Sequence, residues 1–294
     1  MTGSVQEKLP AAFDANIYRE LHPDLRSKTD ADLRKHYAVY GMEEGRRCNA
    51  LATREAFAAL GLDAEVLEIG PFNQPLLEGP KVSYFDILDR AGLLERAERL
   101  GKPTKHVPEH VHFVSPTGDL GVLDRTFDAV LSSHVVERQP DLVRHFKAVE
   151  RLLKPGGTYL LLVSDKRYCF DHFLAPSTIA DVLEAHYSQR VIHSLQSQVE
   201  HEALTTHNND VAHWAGDHGS PPNVGERTRQ ALERYRADPN AYVDVQAWYF
   251  TPTSFKELLD LLHELGHTSL RVSRIYPTLR DGNEFWAALE VAPR

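Results

Sequence analysis

Between residues 64 and 165, short apolar runs alternate with amphipathic segments, and this alternation constrains the fold more than any other feature of the chain. The runs AEVLEIG, KVSYFDIL, VHFVSP, FDAVLSSHV and TYLLLVS have the length of strands and the apolar content of strands buried on both faces. LATREAFAAL precedes them as a helix, and LVRHFKAVERLL, between the last two, keeps its apolar residues on one helical face before the turn KPGG. Strands alternating with helices predict a parallel sheet covered on both sides, a doubly wound α/β fold. Over residues 165–250 the alternation gives way to a long polar and aromatic stretch, read as a helical and loop insertion. It resumes with the helix SFKELLDLLHELG and the apolar runs TSLRVSRIY and EFWAALEVA, which brings the strands to seven.

Residues 11–50 read as short helices, so two modules are expected, a helical one over 1–49 and the α/β domain over 50–294. Pro23 breaks a helix, Leu33, Tyr37 and Tyr40 fall on one face, Gly41 suits a C-cap, and His36 reads as a packing residue. Phe13, Asp14, Tyr18, Pro23, Asp24, Leu25, His36, Tyr37, Gly41, Glu44, Gly45 and Arg46 form a pattern that resembles a small module at the start of bacterial glycosyltransferases and other glycan-assembly proteins. The resemblance implies partners among glycan-assembly enzymes, or self-association through this module.

Composition narrows the partners. With 42 acidic against 33 basic side chains and a net charge of -9, the chain is not expected to bind nucleic acid, which calls for clustered Lys and Arg. No apolar run approaches the ~20 residues of a transmembrane helix, and MTGSVQEKLP lacks the pattern of a signal peptide, so a cytoplasmic protein is expected. Cys48 and Cys169 are too few for a disulfide framework or a cysteine-rich metal site and read as free thiols.

The candidate site lies at the strand ends, because open α/β sheets bind ligands at their carboxyl edge. After the first strand, Gly70 lets the backbone approach a ligand, Pro71 and Phe72 follow, and Glu68 can accept hydrogen bonds from an ammonium group. A plain turn also accounts for a lone glycine. Asp86, followed by Ile87, ends the second strand where a carboxylate can hold a ribose diol; the alternative is a helix cap, with Asp89 as the fallback. Beyond the third strand, Asp119 can accept from an adenine amino group while the Leu120 N–H meets the ring. The fourth strand runs into Ser133, His134 and Glu137, the last read as a helix N-terminal carboxylate.

Taken in order, these features and the LKPGG turn over residues 50–165 resemble the class I methyltransferases. The resemblance implies a Rossmann-like seven-stranded methyltransferase sheet and S-adenosylmethionine bound by Glu68, Gly70, Pro71, Phe72, Asp86, Ile87, Asp119, Leu120 and the backbone near Ser133. A nicotinamide-binding domain is the nearest competitor, but the G-x-G-x-x-G fingerprint is missing.

The fourth strand is followed by neither an Asn/Asp-Pro-Pro-aromatic clamp nor a cysteine, which points to oxygen as the acceptor atom. His134, with an ordinary pKa of about 6.5, is the first candidate for a general base, and packing beside the cofactor is the alternative. The run SDKRYCFD followed by PST resembles the "PDKRYTFDxxRPxT" run of bacterial methyltransferases associated with surface-glycan synthesis, departing from it at Ser164, Cys169 and Ala175. That resemblance implies a carbohydrate acceptor contacted by Asp165, Arg167 and Tyr168.

Residues 207–219 are dense in metal-capable groups. Asp210 and His213 share a helix face, Asp217 and His218 lie about a turn further, and a divalent ion held there would polarise a sugar hydroxyl. The preferred reading assigns no metal and has hydrogen-bonded histidines in a loop that packs Trp214 over the pocket, with His207, His213 and His218 as alternative bases. Asp244, Trp248 and Tyr249 are expected to finish the pocket wall before Thr251 or Thr253 caps the next helix. The expected activity is therefore an S-adenosylmethionine-dependent O-methyl transfer to a carbohydrate or glycan precursor. A small hydroxylated metabolite as acceptor, or an idle cofactor-binding scaffold in glycan assembly, are the alternatives.

Overall fold

The computed structural model describes residues 13–49, 51, 53–61 and 64–291. Residues 1–12 of the expected helical module, and its expected boundary at residue 50, lie outside the described residues. The strands are β1 (Val66–Ile69), β2 (Val82–Asp86), β3 (Phe113–Val114), β4 (Phe127–Ser133), β5 (Leu153–Ser164), β6 (Leu270–Tyr276) and β7 (Glu284–Val291). The first five helices are α1 (Ala15–Leu21), α2 (Asp30–His36), α3 (Arg54–Ala58), α4 (Arg90–Arg99) and α5 (Leu142–Leu152). Next come α6 (Ile179–Tyr187), α7 (Leu195–Ala203), α8 (Asp210–Trp214), α9 (Val224–Ala237) and α10 (Pro252–Glu264).

The seven strands form one sheet in the order β3-β2-β1-β4-β5-β7-β6. All pairs among the first five strands are parallel, and β7 runs antiparallel to both β5 and β6. The expected Rossmann-like, doubly wound α/β architecture is therefore present. Its side chains alternate with the pleat. Leu67, Ile69, Val130, Tyr159, Leu161 and Phe285 enter the core shared with α5, α6 and α10, whereas Val66, Leu131, Leu160, Leu162 and Trp286 enter the one that holds Phe57 of α3. Burial on both faces is why these strands read as continuous apolar runs.

Local chemistry sets the helix ends. Asp141 caps α5 by accepting from Arg144 N–H, and Thr251 forms a capping box with Ser254 at α10, so Thr251 rather than Thr253 is the cap. The KPGG reversal lies inside β5. Leu153 pairs with Phe127 and Thr158 with Ala129, so residues 154–157 bulge out of the ladder, and Lys154 Nζ reaches Glu65 and Asp128 at 3.0 and 3.1 Å.

The N-terminal helices have their own core of Ala15, Tyr18, Leu25, Leu33, Tyr37 and Cys48. His36 packs as expected, its Nδ1 3.0 Å from the Tyr18 hydroxyl. Two details differ from the sequence reading. Past His36 the helix widens into a π turn, Tyr37–Gly41, which turns Tyr40 outward to 57% exposure and leaves Tyr18 to complete the core. Gly41 is also not a C-cap; it sits where the Tyr18 and Tyr37 rings leave room for no Cβ. The segment meets the sheet domain where the Arg280 N–H donates to Gly45 O at 2.9 Å and the Trp214 ring packs on Gly45.

In the stretch after β5, α6 belongs to the main layer, because Val182 and Ala185 are buried in the principal core. The insertion proper comprises α7, α8, α9 and an extended run to Phe250. Its two ends are tied by the Asp165–Phe250 bridge.

Substituting Gly41→Ala places a Cβ against the Tyr18 hydroxyl and 2.9 Å from Tyr37 Cδ2. Overpacking of this kind costs about 1–3 kcal/mol. The expected outcome is a lower urea midpoint, with the change in near-ultraviolet signal following the N-terminal tyrosines.

Candidate functional site

Strand order reverses between β1, which is followed by β2 and β3 on one side, and β4, which leads to β5 on the other. A crevice opens at the carboxyl ends of the strands at such a point. Here it is a cavity of about 460 Å³, within the roughly 300–1,000 Å³ of small-molecule sites. Of the residues expected to hold a cofactor, Glu68, Gly70, Pro71, Phe72, Asp86, Ile87, Leu120 and Ser133 all line it.

Gly70 has φ +72°, and a Cβ there would lie 2.8 Å from Val135 Cγ2, so the turn after β1 needs glycine on both counts. Glu68 is buried (3% exposed), and its two oxygens accept from the N–H groups of Leu76 and Leu77 at 2.8 and 3.1 Å. Burial nevertheless outweighs these bonds and pushes its carboxyl up to about 7. Burial likewise raises the Asp86 carboxyl, which accepts from Leu88 N–H at 3.2 Å. Asp86 does not cap α4. That place is taken by Asp89, which accepts from Gly92 N–H at 2.9 Å.

Asp119 departs from the expected arrangement. Its side chain is exposed and accepts from Gly121 N–H at 2.8 Å, while Thr117, Gly118 and Leu120 line the cavity. Two of the three expected carboxylates thus face the cavity and the third stands outside its lining.

His134 lines the cavity with φ +53°, but both its ring nitrogens are engaged. Nδ1 lies 2.9 Å from Ser164 Oγ and 3.6 Å from Glu137, and Nε2 lies 2.8 Å from Glu284. Burial opposes protonation of this ring, yet the bonds and charges of Glu137 and Glu284 prevail and raise it to about 9. His134 is therefore an imidazolium pinned between two carboxylates at neutral pH, which corrects its reading as a free general base. Glu137 stands, as expected, in the first turn of a helix, the short 3₁₀ turn Val136–Arg138; it is also a buried partner of His134 that accepts from Ser164 N–H at 2.5 Å, while α5 is capped by Asp141.

The other wall was largely missed from sequence. Arg54, Arg96, Arg138, His145 and Tyr242 line the cavity together with Asp244, which was expected there. Arg96 and Arg138 both bind the Asp244 carboxylate, the second at 3.1 Å. Burial raises that carboxyl, but the two guanidinium groups outweigh it and hold it below the usual range. These partners are 148 and 106 residues apart in sequence, so no local spacing announces them. Arg54 donates to Ser133 Oγ at 2.6 Å and pairs with Glu284 at 3.3 Å.

Asp165, Arg167 and Tyr168, expected to contact the acceptor, are absent from this lining, and so are Trp214 and Trp248, expected to cover and to wall the pocket. Asp165 is fully buried and holds the Arg167 guanidinium and the Thr278 hydroxyl, each at 2.6 Å. Tyr168 stacks on Trp214 at 3.8 Å, and Trp214 Nε1 donates to Gly282 O at 2.8 Å. Trp248 is a core residue whose Nε1 donates to Gln139 O at 2.5 Å, and Tyr249 is buried as well. The loop after β5 thus folds onto the segment near Arg280 and not over the crevice, so Trp214 does not cover the pocket. His213 and His218 lie with it, outside the lining of the cavity, which corrects their reading as alternative bases. A second cavity of about 670 Å³ lies between α7, α9 and the run before Trp248, lined by Phe170, His201, Thr205, Arg227, Arg234 and again Asp244.

Residues 80–161, from β2 into β5, match the family model described as a methyltransferase domain. No curated protein matches the chain. Among solved structures, glycopeptide N-methyltransferase MtfA complexed with sinefungin aligns at 22% identity over 37% of this chain and 51% of its own, with a TM-score of 0.28. The mitomycin 7-O-methyltransferase MmcR aligns at 14% identity over 96% of this chain and 62% of its own, with a TM-score of 0.39. The chain thus spans less than two thirds of the length of these two structures. A SAM-dependent methyltransferase from Bacteroides fragilis in complex with S-adenosyl-L-homocysteine aligns at 16% identity over 83% and 79% of the two chains, with a TM-score of 0.42.

The His134 cluster fixes a pH dependence. A histidine whose folded pKa is raised contributes stability that is complete below its unfolded pKa of about 6.5 and is lost as pH rises through about 9. The gap in urea midpoint between the native protein and His134→Gln is therefore widest below pH 6.5. It should close as pH passes about 9; a gap constant from pH 6 to 10 would contradict the imidazolium assignment.

Proposed function

We propose that the protein is an S-adenosylmethionine-dependent methyltransferase acting on a hydroxyl group of a carbohydrate or glycan precursor. The observation that carries the cofactor assignment is one cavity, at the reversal of the sheet, that gathers Glu68, the left-handed Gly70 turn and Asp86 from consecutive strand ends. The family match over residues 80–161 supports the same reading. Glu68 is a desolvated carboxylate raised to about 7, and an ammonium group beside it would restore the ionised form. Asp86 would accept from a ribose diol, while Ile87 and Leu120 would flank a purine. When bound, this cofactor supplies an activated methyl group on a sulfonium, so the protein has mainly to align the acceptor and receive its proton.

With His134 pinned as a cation, Asp244 is the proposed hydrogen-bond acceptor that orients the acceptor hydroxyl; its two arginines hold its carboxyl low, so its part is to align that group. It lines both cavities, and its two arginines keep it ionised and oriented. The second cavity combines an aromatic ring with amide, hydroxyl, imidazole and guanidinium groups, a lining suited to a polyhydroxylated acceptor. The likeness of the N-terminal helices and of the loop after β5 to glycan-assembly proteins supports a carbohydrate. Asp165, Arg167 and Tyr168 would then shape the fold of that loop, and the N-terminal helices would offer the surface for glycan-assembly enzymes or for a second copy.

Calorimetry with S-adenosylmethionine and S-adenosylhomocysteine tests the cofactor assignment. Both should bind the native chain, and Asp86→Asn should weaken them about 10- to 100-fold, the ~1.5–3 kcal/mol of a hydrogen bond to a charged group. Absence of binding to either ends the proposal. With labelled methyl donor and a panel of glycans and small hydroxylated metabolites, label is expected in an ether linkage on a sugar. Asp244→Asn should lower turnover about 10- to 100-fold, the loss of a hydrogen bond to a charged group, while S-adenosylhomocysteine affinity stays within a few-fold; transfer to nitrogen would refute the acceptor assignment.

A further inference from the structure

We propose that His172, His213 and His218 form a zinc site that fastens the insertion to the loop after β5. The three residues come from that loop, from α8 and from the turn that follows it, and one ring nitrogen of each lies within 4.8 Å of the other two. In sequence, His213 and His218 group with Asp210 and Asp217. The fold replaces both carboxylates with His172, 41 residues before His213. Asp210 instead accepts from Val211 N–H and Asp217 from Gly219 N–H.

Two hydrogen bonds present the ligand atoms. His172 Nδ1 lies 2.7 Å from Arg167 O, and His213 Nε2 lies 3.1 Å from His207 O. A carbonyl oxygen only accepts, so each of these nitrogens carries the hydrogen and the opposite nitrogen of each ring keeps a lone pair. Metal-binding histidines are commonly oriented in this way, through a backbone carbonyl on the far nitrogen. His213 Nδ1, so presented, lies 2.9 Å from His218 Nδ1, and the His172 and His218 rings stack at 3.6 Å. Ligands at the 2.0–2.1 Å of zinc–nitrogen bonds in a tetrahedron are ~3.3 Å apart, so the His213–His218 pair has to open and the His218 ring has to turn out of its stack on His172 for the in-plane lone pairs to converge. The adjustment falls to His218, which is half-buried and stands between Gly216 and Gly219.

The donor set selects the ion. Three imidazoles without a carboxylate suit zinc and its neighbours and not magnesium or calcium, which require oxygen. The cluster lies outside the lining of both cavities, and His213 is adjacent to Trp214, whose ring joins Tyr168 and Gly45. The role that follows is therefore to fasten the fold, with a water on the fourth position.

The test uses the full chain, stripped with a chelator and titrated with Zn²⁺ against a chromophoric competitor, and with Co²⁺ as a spectroscopic probe. One equivalent of Zn²⁺ is expected, with intense visible bands of tetrahedral Co²⁺, and Zn²⁺ should raise the melting temperature. Affinity should fall at least about tenfold in His172→Gln and in His218→Gln and stay unchanged in the exposed-histidine control His110→Gln. Circular dichroism verifies that both variants remain folded, since neither residue is fully buried. Equal Zn²⁺ affinity in native and variant chains, or weak octahedral Co²⁺ bands, would overturn the assignment. The readout is metal binding itself, so it is independent of whether the chain transfers methyl groups.

Discussion

The reversal of strand order between β1 and β4 is the constraint on which the site depends. Two parallel neighbours that send their chains to opposite sides leave a gap at their carboxyl ends, and the backbone there has no partner strand to cover it. Gly70 and Ser133 stand on the two sides of that gap because Gly70 follows β1 and Ser133 is the last residue of β4. Helices on both faces hold the sheet, and the apolar alternation along β1, β4, β5 and β7 keeps each strand in register.

Charge is handled in two opposite ways around the crevice. His134, Glu137, Glu284 and Arg54 neutralise one another and tie the end of β4 to β5 and to the start of β7. Removing one member of such a cluster leaves the others buried and unpaired, which is why charged groups of this kind act as a unit. Glu68, on the same edge, has backbone N–H partners but no direct ion pair among the described residues, and its raised pKa records that. A carboxylate left in this condition inside a cavity is suited to a cationic ligand. Asp244 is the intermediate case, a carboxylate matched by two arginines and facing two cavities.

The insertion falls into two parts. The loop after β5 and α8 would be fastened by three histidines against the segment near Arg280, while α7 and α9 border the second cavity. This division accounts for the aromatic and charged residues of SDKRYCFD lying outside the crevice. Arg167 and Tyr168 complete a stack of side chains, from Asp165 to Trp214, that holds the loop.

The amino-acid sequence by itself determined the doubly wound sheet, all seven strands and the strand-end positions of Glu68, Gly70 and Asp86. These follow from hydrophobic period, turn residues and helix caps, which act over a few neighbouring residues and are written in the local order of the chain. Only the tertiary structure decided that His134 is a paired cation, that Asp119 stands outside the cavity, that Trp214 packs on Gly45, and that His172 joins His213 and His218. Each of these rests on a contact with a distant segment, and the charge state or orientation of a side chain depends on the partner that folding brings to it.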